Sequence, residues 1–220
     1  LNDLSIKQIL NYFNSNKSKE DFSYTKNPKV IQNTKNLWYE SKKENSSNVH
    51  KNRYTACDRS FYIFPWNEDK SPISCNLTKF YDQVLSFQGL NPKEIKSLTP
   101  KDGSVQRIHL IHYPLHTGHI SLHTDPDEVC NVICGIYLTE HGKDYEGGGF
   151  YVLNEENSEV LLDKNFSAGD AILFYPCLPH GVKEIKPVFE NKISNGRYFL
   201  NMMIIQSHEV KNRSYAKALL

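Results

Sequence analysis

The stretch YPLHTGHISLHTD, Tyr113–Asp125, ends in a histidine and an aspartate two positions apart, His123 and Asp125. Residues i and i+2 of a strand face the same side, so both side chains can point into one cavity. A third candidate, His180, opens a later predicted strand. Two imidazoles and a carboxylate that leave coordination positions open suit non-haem Fe(II) oxygen chemistry. The alternative for His123 and Asp125 is a surface turn, because Asp125 is followed by Pro126.

The sequence on both sides of this stretch has the texture of short strands. Turn signals such as Asn195-Gly196 separate apolar runs of strand length. Many short strands at near-regular spacing predict a sandwich or jelly-roll barrel. The predicted strands are Val105–Tyr113, Val132–Leu138, Gly149–Leu153, Val160–Leu162, Ala171–Phe174, Gly181–Ile185 and Tyr198–Gln206.

Two segments of the N-terminal half have helical periodicity. Leu4–Phe13 carries apolar residues at roughly helical spacing, and Leu77–Phe87 has enough of them for one buried face. Asn76 is a candidate cap at the start of the second helix, and Gly89 is a candidate stop. The fold class expected is therefore mainly β with flanking helices (α+β): a jelly-roll core at 105–220 preceded by a helical and irregular region at 1–104, together one structural domain.

The rest of the N-terminal half is irregular in pattern. Asn14–Asn52 is rich in Lys, Asn and Ser, and predicts surface loops pinned by Leu37, Trp38 and Tyr39. Its Lys-rich part at 41–51 predicts a solvated loop and not a nucleic-acid patch. Phe61–Trp66 is a short aromatic strand candidate.

Composition excludes several classes of protein. The 220 residues carry a net charge of +1 and are 39% hydrophobic, which favours neither nucleic acid nor a membrane as partner. No apolar run approaches membrane-spanning length. The five cysteines predict mostly free thiols in a reducing compartment, and the first twenty residues are too polar for a signal peptide, so we expect a cytoplasmic protein.

The C-terminal half resembles the 2-oxoglutarate/Fe(II)-dependent dioxygenases, and within them the prolyl-hydroxylase-like branch. The resemblance covers about 107–206 and implies a double-stranded β-helix (jelly-roll) core. It rests on YP…HTD at 113–125, Gly148-Gly149-Phe150 at the start of a strand, AGDAILFYPCLPHGVKEI at 168–185 and NGRYFLN at 195–201.

The resemblance implies a metal centre and its co-substrates. Residues matching His123, Asp125 and His180 bind Fe(II) in that family. The cofactors it implies are Fe(II), 2-oxoglutarate and O2, with ascorbate as a possible reductant. Because Asp125 supplies a carboxylate ligand, we expect hydroxylation of an unactivated C–H bond.

The resemblance also implies a co-substrate clamp. The residue matching Arg197 pairs with the far carboxylate of 2-oxoglutarate, and residues matching Tyr113 and Tyr137 donate hydrogen bonds to the co-substrate. The interval from His180 to Arg197 is longer than usual in the family, with an apparent inserted loop at 187–194.

Four other histidines precede His123. On a strand at 105–113, His109 shares a face with Tyr113, while His112 points the other way. His116 and His119 are expected on a loop at the mouth of the barrel, within reach of substrate.

Three functions remain open at this point. The first is hydroxylation of a small molecule or an amino-acid-like substrate. The second is hydroxylation of prolyl residues in a protein or peptide. The third is a non-catalytic jelly-roll binding module. The partners expected are thus a small molecule or a peptide, and the sequence leaves the oligomeric state open.

Overall fold

Short antiparallel strands dominate the structure, a computed structural model that describes residues 1–15, 23–25, 28–41, 54–67, 72–189 and 195–219. Its helices are α1 (Asp3–Ser15), α2 (Pro72–Phe87) and α3 (Pro92–Ser97). Its strands are β1 (Ser23–Thr25), β2 (Leu37–Ser41), β3 (Ala56–Ile63), β4 (Ser104–Pro114), β5 (His119–Thr124), β6 (Ile133–Tyr137), β7 (Glu146–Leu153), β8 (Glu159–Leu161), β9 (Ala171–Phe174), β10 (His180–Lys186), β11 (Gly196–Gln206) and β12 (Lys217–Ala218).

The strands form two facing layers. One layer has the order β2-β3-β4-β11-β6-β9, and the other has the order β8-β7-β10-β5, with β12 beside β5. Strand β3 joins them, because it pairs with β4 along most of its length and with β5 through Ala56 and Cys57. This is the double-stranded β-helix predicted from the sequence. The N-terminal strand β3 closes one edge by pairing with a strand of each layer.

Strands β4 and β11 lie at the centre of the larger layer and have buried residues on both faces. Alternate residues pack outward against α1 and α2 or inward between the layers. The outward set includes Ile108, Leu110, Leu200, Met202, Ile6, Ile9, Leu77, Tyr81 and Leu85. The inward set includes Val105, Ile111, Tyr113, Met203, Ile205, Phe150, Phe174, Val182 and Ile185.

The predicted strands of the core all exist, with ends shifted by a few residues. Two N-terminal predictions need correction. The second helix begins at Pro72 and not after Asn76, because proline has the backbone torsion that the first helical turn requires. The aromatic strand ends at Ile63, and Pro65 begins a short 3-10 helix instead of continuing it.

The structure also contains elements that the sequence pattern did not predict. Strand β2 lies within the segment expected to be loops, where Trp38 pairs with Phe61 of β3 and stacks on its ring at 4.9 Å. Helix α3 is a single short helix whose cap, Asn91, accepts a hydrogen bond from the backbone of Lys93. The Lys-rich stretch after position 41, and 190–194 of the apparent inserted loop, lie outside the described residues. None of the described helices has the length and apolar character needed to span a membrane.

Candidate metal centre

The two candidate metal-binding histidines lie on neighbouring strands of the smaller layer. His123 on β5 and His180 on β10 are direct partners in the antiparallel register. Side chains in that position are adjacent on one face of a sheet, and the two ring centroids are 4.3 Å apart. The register of β5 and β10 is irregular between this pair and the pair Ile120–Val182, so Ile120 also faces the core.

Asp125 completes the site from one residue beyond Thr124, the last residue of β5. Its backbone N–H donates to the carbonyl of Pro176 at 2.9 Å, which ties this segment to the link before His180. The Oδ2 atom of Asp125 is 3.6 Å from Nε2 of His180. One ligand atom from each of the three residues lies within 4.8 Å of the others, a spacing that one ion with bonds of ~2.0–2.2 Å bridges after small side-chain rotations.

The hydrogen bonds of the two imidazoles fix which nitrogen faces the site. Nδ1 of His123 lies 2.8 Å from the carbonyl oxygen of Ser121, and Nδ1 of His180 lies 2.7 Å from that of Leu178. A carbonyl oxygen only accepts hydrogen bonds, so both Nδ1 atoms carry the proton. In the neutral form of each ring, Nε2 is then the nitrogen whose lone pair can bind a metal.

The surroundings of His123 and Asp125 also favour the protonation states that can bind a metal. Burial, assisted by the neighbouring His180, lowers the pKa of His123 to about 4. Burial alone would raise the pKa of Asp125, but His180, His123 and Arg107 outweigh it and hold that pKa at about 2. At neutral pH the site thus offers a neutral imidazole and a carboxylate, the states that metal ligation requires.

Aromatic side chains surround the ligands. The ring centroids of Phe150 and Phe174 lie 5.7 Å and 5.2 Å from that of His180. Tyr54, just before β3, stacks on His123 at 4.6 Å. Sequence reasoning missed Tyr54, since no local pattern links it to a histidine far along the chain. These rings limit the access of water to the ligand atoms.

Arg197 lies at the end of the barrel away from His123, and its side chain faces inward. Only 1% of its surface is exposed. Its Nε and Nη2 atoms donate to the carboxylate of Asp163 at 2.7 Å and 3.1 Å. Tyr145 Oη donates to the same carboxylate at 2.6 Å. Burial alone would lower the pKa of Arg197, but the charge of Asp163 raises it, so the guanidinium is charged and has an internal counter-ion. No sequence motif had indicated Asp163.

Two buried donors remain unpaired beside this ion pair. Nη1 of Arg197 and Oη of Tyr137 have no hydrogen-bond partner among the described residues. The Tyr137 hydroxyl is near Asp163, whose charge adds to burial in raising its pKa, but not in hydrogen-bonding geometry. The guanidinium carbon lies 5.5 Å from the ring centroids of both Tyr137 and Tyr113. The three residues expected to hold the co-substrate are therefore grouped, with two donors available.

The remaining histidines divide as follows. His109 faces the barrel interior and pairs across strands with Asn201, whereas His112 faces α1 and stacks on Tyr198. His116 lies on the turn that joins β4 to β5, as expected, whereas His119 is the first residue of β5 and not part of the loop. Both lie at the end of β5 opposite His123.

Protein-family models and curated protein sequences give no match to this chain. Solved structures do. A prolyl hydroxylase from Trichoplax adhaerens, in complex with a peptide fragment of the hypoxia inducible factor oxygen degradation domain, superposes with a TM-score of 0.51 at 15% identity, covering 92% of this chain and 76% of that chain. A Pseudomonas putida prolyl-4-hydroxylase gives a TM-score of 0.49 at 19% identity, covering 67% and 68%. EctD from S. alaskensis, with 2-oxoglutarate and 5-hydroxyectoine, gives 0.36 at 14% identity, covering 72% and 56%.

At such identities a structural likeness establishes the fold and not the activity, and of these three superpositions the Trichoplax one has a TM-score above 0.5. In fold, the chain is similar to that prolyl hydroxylase, and within this fold it groups His123, Asp125 and His180 as one candidate metal site.

Proposed function

We propose that this protein is an Fe(II)- and 2-oxoglutarate-dependent dioxygenase that hydroxylates a C–H bond of a small, amino-acid-like substrate. The observation that carries the proposal is the triad of His123, Asp125 and His180, whose ligand atoms converge within 4.8 Å. Two imidazole nitrogens and one carboxylate leave coordination positions for other ligands, as in the Fe(II) oxygenases that use two histidines and a carboxylate.

The closed end of the barrel fits the far carboxylate of 2-oxoglutarate. Nη1 of Arg197 and Oη of Tyr137 are buried donors without partners. Leaving such donors unpaired is unfavourable, and a carboxylate oxygen would accept from both. Asp163 already uses the other edge of the guanidinium, so the co-substrate would contact Arg197 through Nη1 and not through the paired edge.

When bound, iron and 2-oxoglutarate supply the oxidising chemistry, in which O2 converts the co-substrate to succinate and carbon dioxide and a C–H bond becomes C–OH. The protein supplies orientation and a dry environment. The carbonyls of Ser121 and Leu178 hold the rings of His123 and His180 in a fixed direction. Tyr54 covers His123 on its stacked face.

Succinate release tests this function. The wild-type protein, supplied with Fe(II), 2-oxoglutarate, O2 and ascorbate, should release succinate, and a true substrate from a panel of amino acids, metabolites and proline-containing peptides should increase the rate. His180→Ala should abolish release, while His116→Ala, an exposed histidine away from the site, should not. Equal rates with and without Fe(II) would contradict the proposal, and stimulation by peptides alone would favour a peptidyl hydroxylase.

A further inference from the structure

A second group of polar residues lies in the barrel, at the end of β4 away from Arg197. Strand β4 runs from half-buried Arg107 and His109 to fully buried Tyr113, which lies opposite Arg197. The six residue-to-residue steps from Arg107 to Tyr113 span roughly 20 Å at ~3.4 Å each. Strand β5 begins at His119, across the turn that follows Tyr113 and Pro114, and it carries His123 away from that turn. The metal triad therefore lies between a closed end at Arg197 and a more open end at Arg107.

No carboxylate of the described residues lies within ion-pair distance of Arg107, although the charge of Asp125 acts on it from farther away. Its Nη2 lies 3.0 Å from the sulfur of Met203, and its guanidinium carbon lies 4.8 Å from the ring centroid of Tyr62. Its Nε is buried and has no hydrogen-bond partner in the described part of the chain. A guanidinium stays charged at any physiological pH, so this group cannot lose its charge to relieve the burial.

A second guanidinium lies nearby. Arg213 donates from Nε to the carbonyl of Gln206 at 2.9 Å, its Nη1 lies 2.8 Å from Nε2 of His208, and its guanidinium carbon lies 4.8 Å from the ring centroid of Tyr215. Burial lowers the pKa of Arg213, and the positive charge of Arg107 contributes to the lowering. Across the described ranges, neither arginine has a carboxylate within ion-pair distance.

Two buried atoms that can accept hydrogen bonds lie near Arg107. His109 and Asn201 are cross-strand partners on the inner face, and both His109 Nε2 and Asn201 Oδ1 are buried without a hydrogen-bond partner among the described residues. Burial, with the charge of Arg107, lowers the pKa of His109 well below its ordinary value, so the ring is neutral and one nitrogen can accept. The open end thus combines one guanidinium with an unpaired N–H, at Arg107, with two potential acceptors, while Arg213 adds positive charge and already contacts Gln206 and His208.

We propose that Arg107, Arg213, His109 and Asn201 form the substrate subsite of the proposed dioxygenase, and that this subsite recognises an α-amino acid by its two charged groups. Arg107, supported by Arg213, binds the carboxylate, because a fixed guanidinium fork matches a carboxylate. His109 and Asn201 accept hydrogen bonds from the ammonium group. The side chain of the amino acid then extends towards the triad. This inference rests on the proposed function, since it names the substrate class of the same site.

The location of Arg107 makes it a poor candidate for the co-substrate clamp. Arg197 and Tyr137 already offer unpaired donors at the closed end, on the other side of the triad. One dicarboxylate cannot contact both ends of a barrel about 20 Å long while binding the metal between them. Two arginine sites separated in this way suit two different anions.

Side-chain NMR tests the subsite without turnover. Protein loaded with Zn(II), which has no redox chemistry, and 2-oxoglutarate is titrated with each common L-amino acid and with its carboxamide, while the Nε–H signal of Arg107 is followed. Arg107→Lys assigns that signal. At least one amino acid should bind and shift it, its carboxamide should not, and Arg107→Gln should weaken binding about tenfold or more. Arg59→Gln, an exposed arginine paired with Glu40 on β3, is the matched control and should bind like wild type.

Three outcomes overturn the subsite: no amino acid shifts the signal, carboxamides bind as well as acids, or Arg107→Gln weakens 2-oxoglutarate instead. Zn(II) and 2-oxoglutarate affinities are measured separately in the same samples. If neither Zn(II) nor 2-oxoglutarate binds while an amino acid still shifts the Arg107 signal, the proposed function fails and the subsite stands. If Zn(II) and 2-oxoglutarate both bind and no amino acid shifts the Arg107 signal, the subsite alone fails.

Discussion

Asp163 neutralises Arg197 within the barrel, at the end proposed to hold the co-substrate. Asp163→Asn keeps an acceptor for Arg197 but removes the charge. Breaking a buried ion pair costs about 3–5 kcal/mol, so the variant without ligand should unfold at lower denaturant. A bound carboxylate would restore the missing charge, so 2-oxoglutarate should stabilise the variant more than wild type, and its KM should fall.

Denaturant unfolding with and without 2-oxoglutarate measures both effects. A larger KM for 2-oxoglutarate in Asp163→Asn would mean that the carboxylate serves to orient Arg197 and does not compete with the co-substrate.

Tyr137 provides a milder test of the same end. Tyr137→Phe removes the unpaired hydroxyl and leaves the ring stack on Phe166 at 4.8 Å. Losing one hydrogen bond to a carboxylate, about 1.5–3 kcal/mol, should raise the KM for 2-oxoglutarate roughly ten- to hundredfold, with metal affinity unchanged. Tyr198→Phe, on the face towards α1, is the control. An unaltered KM in Tyr137→Phe would remove Tyr137 from the clamp.

The buried carboxyl group of Asp58 should make the stability of the folded protein depend on pH. Burial raises its pKa to about 6, although a hydrogen bond from Ser60 opposes the rise. Between its ordinary pKa of about 3.8 and about 6, the folded state holds a proton that the unfolded state has released, so this group destabilises the fold as pH rises through that window. The difference corresponds to about 3 kcal/mol.

Asp58→Asn should therefore gain stability relative to wild type between pH 4 and pH 7, by up to ~3 kcal/mol, in urea unfolding at each pH. The comparison cancels other titrating groups. A stability difference that is constant over this range would show that Asp58 keeps an ordinary pKa.

At the scale of elements, the pairing of β2 with β3 ties the N-terminal region to the core. Trp38 is buried between Phe13 of α1, at 4.6 Å, and Phe61 of β3, at 4.9 Å. Trp38→Ala should cost about 3–5 kcal/mol in a single cooperative unfolding transition. Phe189→Ala, which removes a ring that is 96% exposed, should change stability little. A separate early transition in Trp38→Ala would show that 1–104 folds independently.

The sequence predicted these elements unevenly, for physical reasons. Strands β4 and β11 are long and carry buried apolar residues on both faces, so their signal is strong. Strand β2 is short and half polar, and its burial depends on α1 and β3, which no local pattern shows. The place of His119 in β5 was not predicted, because the polar residues around it resemble the turn that precedes it.

For the whole molecule, the spacing of residues in the sequence could indicate the triad of His123, Asp125 and His180, but not the residues that surround it. His123 and His180 meet because β5 and β10 pair in one particular register, and their distance in sequence does not specify that register. Asp163 and Tyr54 come from segments without a motif, and they approach Arg197 and His123 only after both layers have assembled. The ligand residues were therefore predictable, whereas the internal counter-ion and the stacked tyrosine were not.

Anaerobic calorimetry with Fe(II) and 2-oxoglutarate tests most directly the claim that His123, Asp125 and His180 hold one metal for this co-substrate. The account predicts one Fe(II) per chain, 2-oxoglutarate binding that strengthens when the metal is present, and loss of Fe(II) binding in both His123→Ala and His180→Ala. Undiminished Fe(II) binding in either variant, with its fold intact by circular dichroism, would contradict the account.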